Sequence, residues 1–175
     1  KCDELASQHG VFKIETIGDV YMAVTNLAQE QDTDHVKRMA QFAMDVVHVA
    51  AQTTLVDLDN PSKGVVSVRV GFHSGPIIAN VVGTTTPKYT LFGDTVNVSS
   101  RMESNSESNR IQCSDRSASL LTQQWPDVPL TPRGSLHIKG KGEMNTFWVN
   151  EVVVEDDNTK DDDPQESVAV EVLSC

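Results

Sequence analysis

Short alternations of apolar and polar residues, each cut off by a glycine-bearing turn, recur along this sequence and confine it to a fold whose sheet is built largely from hairpins. Phe12 and Ile14 alternate with Lys13 and Glu15, Gly18-Asp19 interrupts, and Val20–Val24 resumes, which predicts a β-hairpin. Val66, Val68, Val70 and Phe72 alternate as a strand, His73-Ser74-Gly75-Pro76 ends it, and Ile77–Val82 is the next apolar run. Tyr89–Phe92 and Arg110–Cys113 read as short strands, and Leu136–Lys139 with Thr146–Val154 as a last hairpin around Gly140-Lys141-Gly142. Helical spacing appears between these runs. Val36, Met39, Ala40, Ala43, Val46, Val47 and Ala50 repeat behind a capping Asp34; a second helix is expected over Thr95–Ser104; a third, capped by Ser114 or Asp115, runs through Leu121. Asn60–Gly64 is a turn cluster, and Trp125–Gly134, with three prolines, is expected to be a loop. Strands paired through hairpins with helices between them predict an α+β sandwich.

A length of 175 residues fits one domain of roughly 100–200 residues. The formal charge of −11 excludes a surface that captures nucleic acid or anionic lipid through a general positive field. That charge is uneven: residues 155–175 hold eight acids and one lysine. A folded region over 1–154 and an acidic tail over 155–175 are therefore expected, with Ser167–Leu173 either a short strand or nothing. The run Asp161-Asp162-Asp163 lacks the turn-forming glycines that help carboxylates enclose an ion. No stretch approaches the ~18 consecutive apolar residues of a membrane span, and Lys1-Cys2-Asp3-Glu4 does not open a signal peptide. Cys2, Cys113 and Cys175 are odd in number and scattered, which fits free thiols in a reducing compartment.

Four clusters carry chemistry. Glu15 and Asp19 put carboxylates on and at the tip of the first hairpin; Gly18-Asp19 is ordinary turn chemistry, and equally a carboxylate that could join Mg²⁺ to phosphate oxygens. Asn97 and Arg101, four apart, share one helix face, which is either a solvated face or an amide and a guanidinium suited to a sugar hydroxyl beside a phosphate. Asp94 or Glu103 could pair with that arginine. Lys139-Gly140-Lys141-Gly142 is a basic hairpin turn or an anion cradle, without the spacing of a Walker A loop. His73 follows a buried strand, where a satisfied histidine is commoner than a general base.

Together and in this order, FKIETIGD (12–19), VRVGFHSGP (68–76), YTLFGDTVNVSSRMES (89–104) and IKGKGE (138–143) closely resemble the class III nucleotide cyclases, and the guanylate cyclase branch most. The resemblance covers roughly residues 9–154. It implies a ferredoxin-like α/β sandwich that works as a dimer, with sites at the subunit interface. The reaction it implies is conversion of a nucleoside triphosphate to its 3′,5′-cyclic monophosphate and pyrophosphate, assisted by two Mg²⁺ or Mn²⁺ ions. By the resemblance Asp19 is a metal ligand, Asn97 orients the ribose, Arg101 stabilises charge on the α-phosphate, and Lys139 holds the terminal phosphates. Glu15 occupies the purine-reading position. A carboxylate only accepts hydrogen bonds, and guanine offers N1–H and N2–H₂ where adenine offers an acceptor, so GTP is the favoured substrate and ATP the alternative.

Three departures qualify that likeness. Thr90 stands where guanylate cyclases usually carry Cys, and its hydroxyl does not discriminate between bases; Lys88 stands where that branch has Arg and lacks its planar fork. The family's first strand, F-x-D-[IV]-x-G-F-[ST], would precede Phe12 by some tens of residues and does not occur in this sequence. The expectation is thus a cyclase fold without its first strand and first helices, with little or no activity as given for want of that Asp. A silent regulatory or dimerisation domain is the non-enzyme alternative. One chain bearing Glu15, Asp19, Asn97, Arg101 and Lys139 favours a homodimer, and a GTP-consuming domain belongs in the cytosol.

Overall fold

The computed structural model describes residues 1–54, 65–85 and 87–150, together with the backbone of residues 167–174. In chain order the elements are α1 (Cys2–His9), β1 (Phe12–Ile17), β2 (Val20–Thr25), α2 (His35–Ala51), β3 (Ser67–Ser74), β4 (Ile78–Val82), β5 (Lys88–Phe92), α3 (Asp94–Ser104), β6 (Ile111–Ser114), α4 (Asp115–Gln124), β7 (Leu130–Ile138), β8 (Gly142–Val149) and β9 (Ser167–Ser174). Seven strands form one sheet in the order β1-β2-β9-β3-β6-β8-β7, and β4 and β5 form a separate two-stranded ribbon. The expected α+β class is the observed one. The turn cluster Asn60–Gly64 and the acidic run 161–163 lie outside the described residues.

The two faces of β3 explain the layering. Val68, Val70 and Phe72 point to one side, where they are buried with Val36, Met39, Phe42 and Ala43 of α2 and with Ala118 and Leu121 of α4. Burying side chains of this size contributes roughly 1.5–3 kcal/mol each. Residues of opposite parity, Arg69, Gly71 and His73, face α3. A Cβ added to Gly71 would lie 2.0 Å from the Glu103 backbone nitrogen and 2.3 Å from the Met102 carbonyl carbon, so α3 rests directly on the strand backbone. Arg69 Nε donates to Glu103 Oε1 at 3.2 Å beside that contact. Burial raises the Glu103 carboxyl above the ordinary glutamate range, and Arg69 partly opposes the rise. Helix α3 buries Val98 and Met102 against Ile138 of β7. The β4–β5 ribbon leans on the hairpin through Leu91 with Met22 and Val24, and through an edge-to-face contact of Tyr89 with Phe12 at 5.6 Å.

Local chemistry departs from the sequence reading in four places. Asp34 does stand at the N-cap of α2, but its carboxylate pairs with Arg38 at 2.8 Å; Gln124 Oε1, from α4, accepts from the Val36 and Lys37 amides instead, at 2.9 and 3.1 Å. The expected loop over Trp125–Gly134 is strand from Leu130 onward. Its Pro132 is tolerated because β7 is the sheet edge and the ladder shifts register between Pro132 and Gly134. Helix α1 is not among the expected elements, although Cys2, Leu5 and Ala6 have helical spacing; Ala6 is buried and the other two pack beside it. Lastly, Ser167–Leu173, expected to be a short strand or nothing, belongs to a strand, Ser167–Ser174, that lies inside the sheet, parallel to both β2 and β3. Ser114, by contrast, caps α4 as expected, its Oγ accepting from the Ser117 amide at 3.3 Å.

Candidate active site

Helix α3 starts where Gly93 releases the β5 strand, and its first three turns carry Asp94, Asn97 and Arg101 along one face. That face meets the β7–β8 turn, in which the Lys141 amide donates to the Ile138 carbonyl at 2.9 Å and thereby presents Lys139. Between them lies a cavity of about 370 Å³, lined by Asp94, Asn97, Val98, Arg101, Ile138, Lys139, Gly140 and Lys141. Its wall is apolar where Val98 and Ile138 are buried, and its mouth carries three cations and one carboxylate. A wider recess of about 660 Å³, beside Gly75–Ile77 and Arg116, holds none of the candidates drawn from the sequence.

The arrangement brings together Asn97, Arg101 and Lys139 from two sequence clusters 38 residues apart. Asp94 does not pair with Arg101; it pairs with Lys141, across the cavity mouth. Glu103 is also taken, by Arg69. Arg101 accordingly makes no ion pair among the described residues, and its exposed guanidinium is open to an anion. Lys141 and Asp94 are the members of the cavity that sequence reasoning did not place there. The signal was the second lysine of K-G-K-G, whose partner only the tertiary fold supplies.

Glu15, Asp19, Lys88 and Thr90 stand outside this cavity. Glu15 is half-buried on β1, opposite Met22 and just past a register shift at Lys13; Asp19 is exposed at the hairpin tip after Gly18. Lys88 is exposed and Thr90 half-buried on β5, paired with Val82 and Asn80 of β4. Asp19 offers one hard oxygen donor, and no group of three His, Cys, Asp or Glu side chains that could enclose a metal exists among the described residues. A donor set of this kind fits an ion that takes most of its ligands from phosphate and water, as Mg²⁺ does.

His73 is not in the cavity. Its Nδ1 lies 2.6 Å from Ser114 Oγ, which donates to Ser117 Oγ at 3.2 Å, and Ser117 Oγ donates to Ser74 Oγ at 3.0 Å. Burial, reinforced by Arg116, lowers its pKa to about 4, so the ring is neutral at pH 7 and serves a buried hydroxyl network. Burial likewise raises the Cys113 thiol, which is inert in the core.

Residues 1–151 match the family described as the adenylate and guanylate cyclase catalytic domain. The receptor-type guanylate cyclase gcy-8 of Caenorhabditis elegans is 42% identical over 147 residues, which are 84% of this chain and 12% of that protein; the chain thus spans about an eighth of the receptor's length. Among solved structures, the guanylate cyclase domain of RhGC from Catenaria anguillulae, in complex with GTP, is 32% identical with a TM-score of 0.72, covering 85% of this chain and 77% of that one. The non-canonical dimeric guanylyl cyclase domain of the RhoGC fusion protein from the aquatic fungus Blastocladiella emersonii is 28% identical with a TM-score of 0.69, covering 85% and 76%. On the match to 1–151 and the 42% identity, this chain belongs to the adenylate and guanylate cyclase catalytic-domain family.

Proposed function

We propose that this domain is a guanylate cyclase that converts GTP to 3′,5′-cyclic GMP and pyrophosphate. The observation that carries the proposal is the joining of Asn97, Arg101 and Lys139 around one cavity by the packing of α3 on the β7–β8 turn. Cyclisation requires that the ribose be held with its 3′-oxygen in line with the α-phosphate, and that charge growing on that phosphate be met by a fixed donor. Asn97, which can both donate and accept, holds the sugar. Arg101, one turn on, presents a planar guanidinium to the α-phosphate. Lys139, on a glycine-flanked turn, holds the terminal phosphates as a point charge. Glu15 accepts from the guanine edge; Lys88 and Thr90, from β5, flank the base. Asp19 supplies a carboxylate for Mg²⁺ or Mn²⁺, two of which the family resemblance implies per complete site. When bound, such ions lower the pKa of the attacking hydroxyl and neutralise the triphosphate.

A second copy of the chain completes the assembly in this proposal. Ile78, Val81, Val82, Tyr89 and Phe92 all lie on the β4–β5 ribbon and are about half or more exposed, Ile78 by 69%. An apolar patch of this kind marks an association surface, and the dimeric RhoGC domain supports self-association. Use of GTP, a cytosolic nucleotide, supports action in the cytosol.

The test is steady-state kinetics on the full-length protein with GTP and Mn²⁺. Arg101→Ala is expected to lower kcat by about 10²-fold or more while KM changes only a few-fold, the signature of an interaction made in the transition state. An equal loss in kcat and in substrate affinity would contradict the role of Arg101.

A further inference from the structure

Three cations line the cavity between α3 and the β7–β8 turn, and they are not equivalent. Arg101 and Lys139 make no ion pair among the described residues, whereas Lys141 Nζ is held by the Asp94 carboxylate across the mouth. Capping does not explain the place of Asp94, because α3 has Gly93 at its N-cap and no side-chain cap bond. Asp94 sits in the first turn, where the positive end of the helix favours a carboxylate with or without Lys141. The pair is also wet, with Lys141 38% and Asp94 61% exposed, and such a pair contributes little to stability. Lys141 stands between Gly140 at φ +83° and Gly142 at φ +76°, and at neither glycine does any heavy atom lie within 4 Å of where a Cβ would stand. The ammonium can therefore leave Asp94 without unpacking the core or stranding the carboxylate.

A triphosphate entering this cavity meets Lys139 two residues away on the same turn, and it competes for Lys141 with more charge than one carboxylate carries. The same cation then grips the product. Pyrophosphate held by Lys139 and an unopposed Lys141 would leave slowly, and product release limits many enzymes. We propose that Asp94 is a positioning residue that holds Lys141 back until a triphosphate arrives, cedes it to the terminal phosphates, and reclaims it as pyrophosphate departs. Asp94 thereby sets how tightly the domain holds pyrophosphate. This exchange rests on the nucleotide-site reading of the cavity.

Equilibrium binding of inorganic pyrophosphate with Mg²⁺ to the full-length protein, read by calorimetry, tests the exchange without any turnover. Lys139→Ala is expected to weaken binding about tenfold; no change would take the phosphates out of this cavity and overturn both the nucleotide reading and the exchange. Asp94→Asn is expected to tighten binding about fivefold or more, because the amide releases Lys141. Unchanged or weaker binding by Asp94→Asn, with Lys139→Ala still damaging, would overturn the exchange and leave the nucleotide reading standing. In a Lys141→Gln background the gain from Asp94→Asn is expected to shrink to about twofold or less, since no cation is left to release. An equal gain in both backgrounds would mean plain repulsion between Asp94 and phosphate, which also overturns the exchange. Lys141→Gln alone breaks the pair without touching α3 and is expected to weaken binding. If that variant binds pyrophosphate as tightly as the unaltered protein, Lys141 never leaves Asp94 and the exchange falls.

Discussion

Replacing Gly71 by Ala tests the seating of α3, because the added methyl group has nowhere to go. The new Cβ would lie 2.0 Å from Glu103 N and 2.3 Å from Met102 C, both helix backbone, so no side chain can rotate out of the way. Overpacking that side chains can absorb costs about 1–3 kcal/mol; against two rigid backbones we expect about 3 kcal/mol or more. For a chain of this size that corresponds to a loss of roughly 6–12 °C in Tm. Gly140→Ala is the control. Gly140 has a φ of +83° and nothing lies within 4 Å of where its methyl group would stand, so the substitution carries only the left-handed backbone strain, roughly 1–2 kcal/mol. Urea unfolding followed by circular dichroism, with m unchanged between variants, reads both. Because Asn97 and Arg101 ride on α3, Gly71→Ala is also expected to depress turnover, whereas Ala at 140 disturbs only the lysine turn. A Gly71→Ala loss within about 0.5 kcal/mol of zero, or one smaller than that of Gly140→Ala, would refute the direct contact of helix and strand.

Two further outcomes follow from exposure and burial. Ile78→Asp puts a charge on the most exposed apolar side chain of the β4–β5 ribbon; sedimentation velocity is expected to show a dimer becoming monomer without loss of thermal stability, and an unchanged dimer would remove the ribbon from the interface. His73 has its folded-state pKa depressed to about 4, below the ordinary histidine value of about 6.5, so the stability it contributes is present above pH 6.5 and is lost as pH falls towards 4. His73→Gln, which keeps a polar partner for Ser114, is expected to flatten the unfolding free energy across that window. An unchanged slope between pH 6.5 and 4 would mean that other groups carry it.

Much of the fold was legible because local period and tertiary environment agree. The β1–β2 hairpin, α2, β3 and α3 each bury the face their pattern announces. Where they disagree, the reading failed for identifiable reasons. Pro132 reads as a loop residue until β7 is known to be a sheet edge, and edge position is a property of the whole sheet. Gln124 as the cap of α2 lies 88 residues from the amide it accepts, beyond any local signal. Residues 167–174 follow a strongly charged stretch, and their interior parallel position depends on strands more than 90 residues away. In the candidate site, the i,i+4 spacing was enough to join Asn97 to Arg101. Lys139 reached them only through the family likeness, and the Asp94–Lys141 pair needed the fold itself.

Guanine selection is tested most directly by the ratio of kcat/KM for GTP to that for ATP, measured with Mn²⁺ on the full-length protein and on its Glu15→Lys variant. If the half-buried Glu15 accepts from guanine donors that adenine lacks, as proposed, the unaltered protein is expected to prefer GTP by about 10²-fold or more, and the lysine variant to lose most of that preference. Equal use of the two nucleotides, or a preference that Glu15→Lys leaves intact, would contradict the assignment of this domain as a guanylate cyclase that reads its base through Glu15.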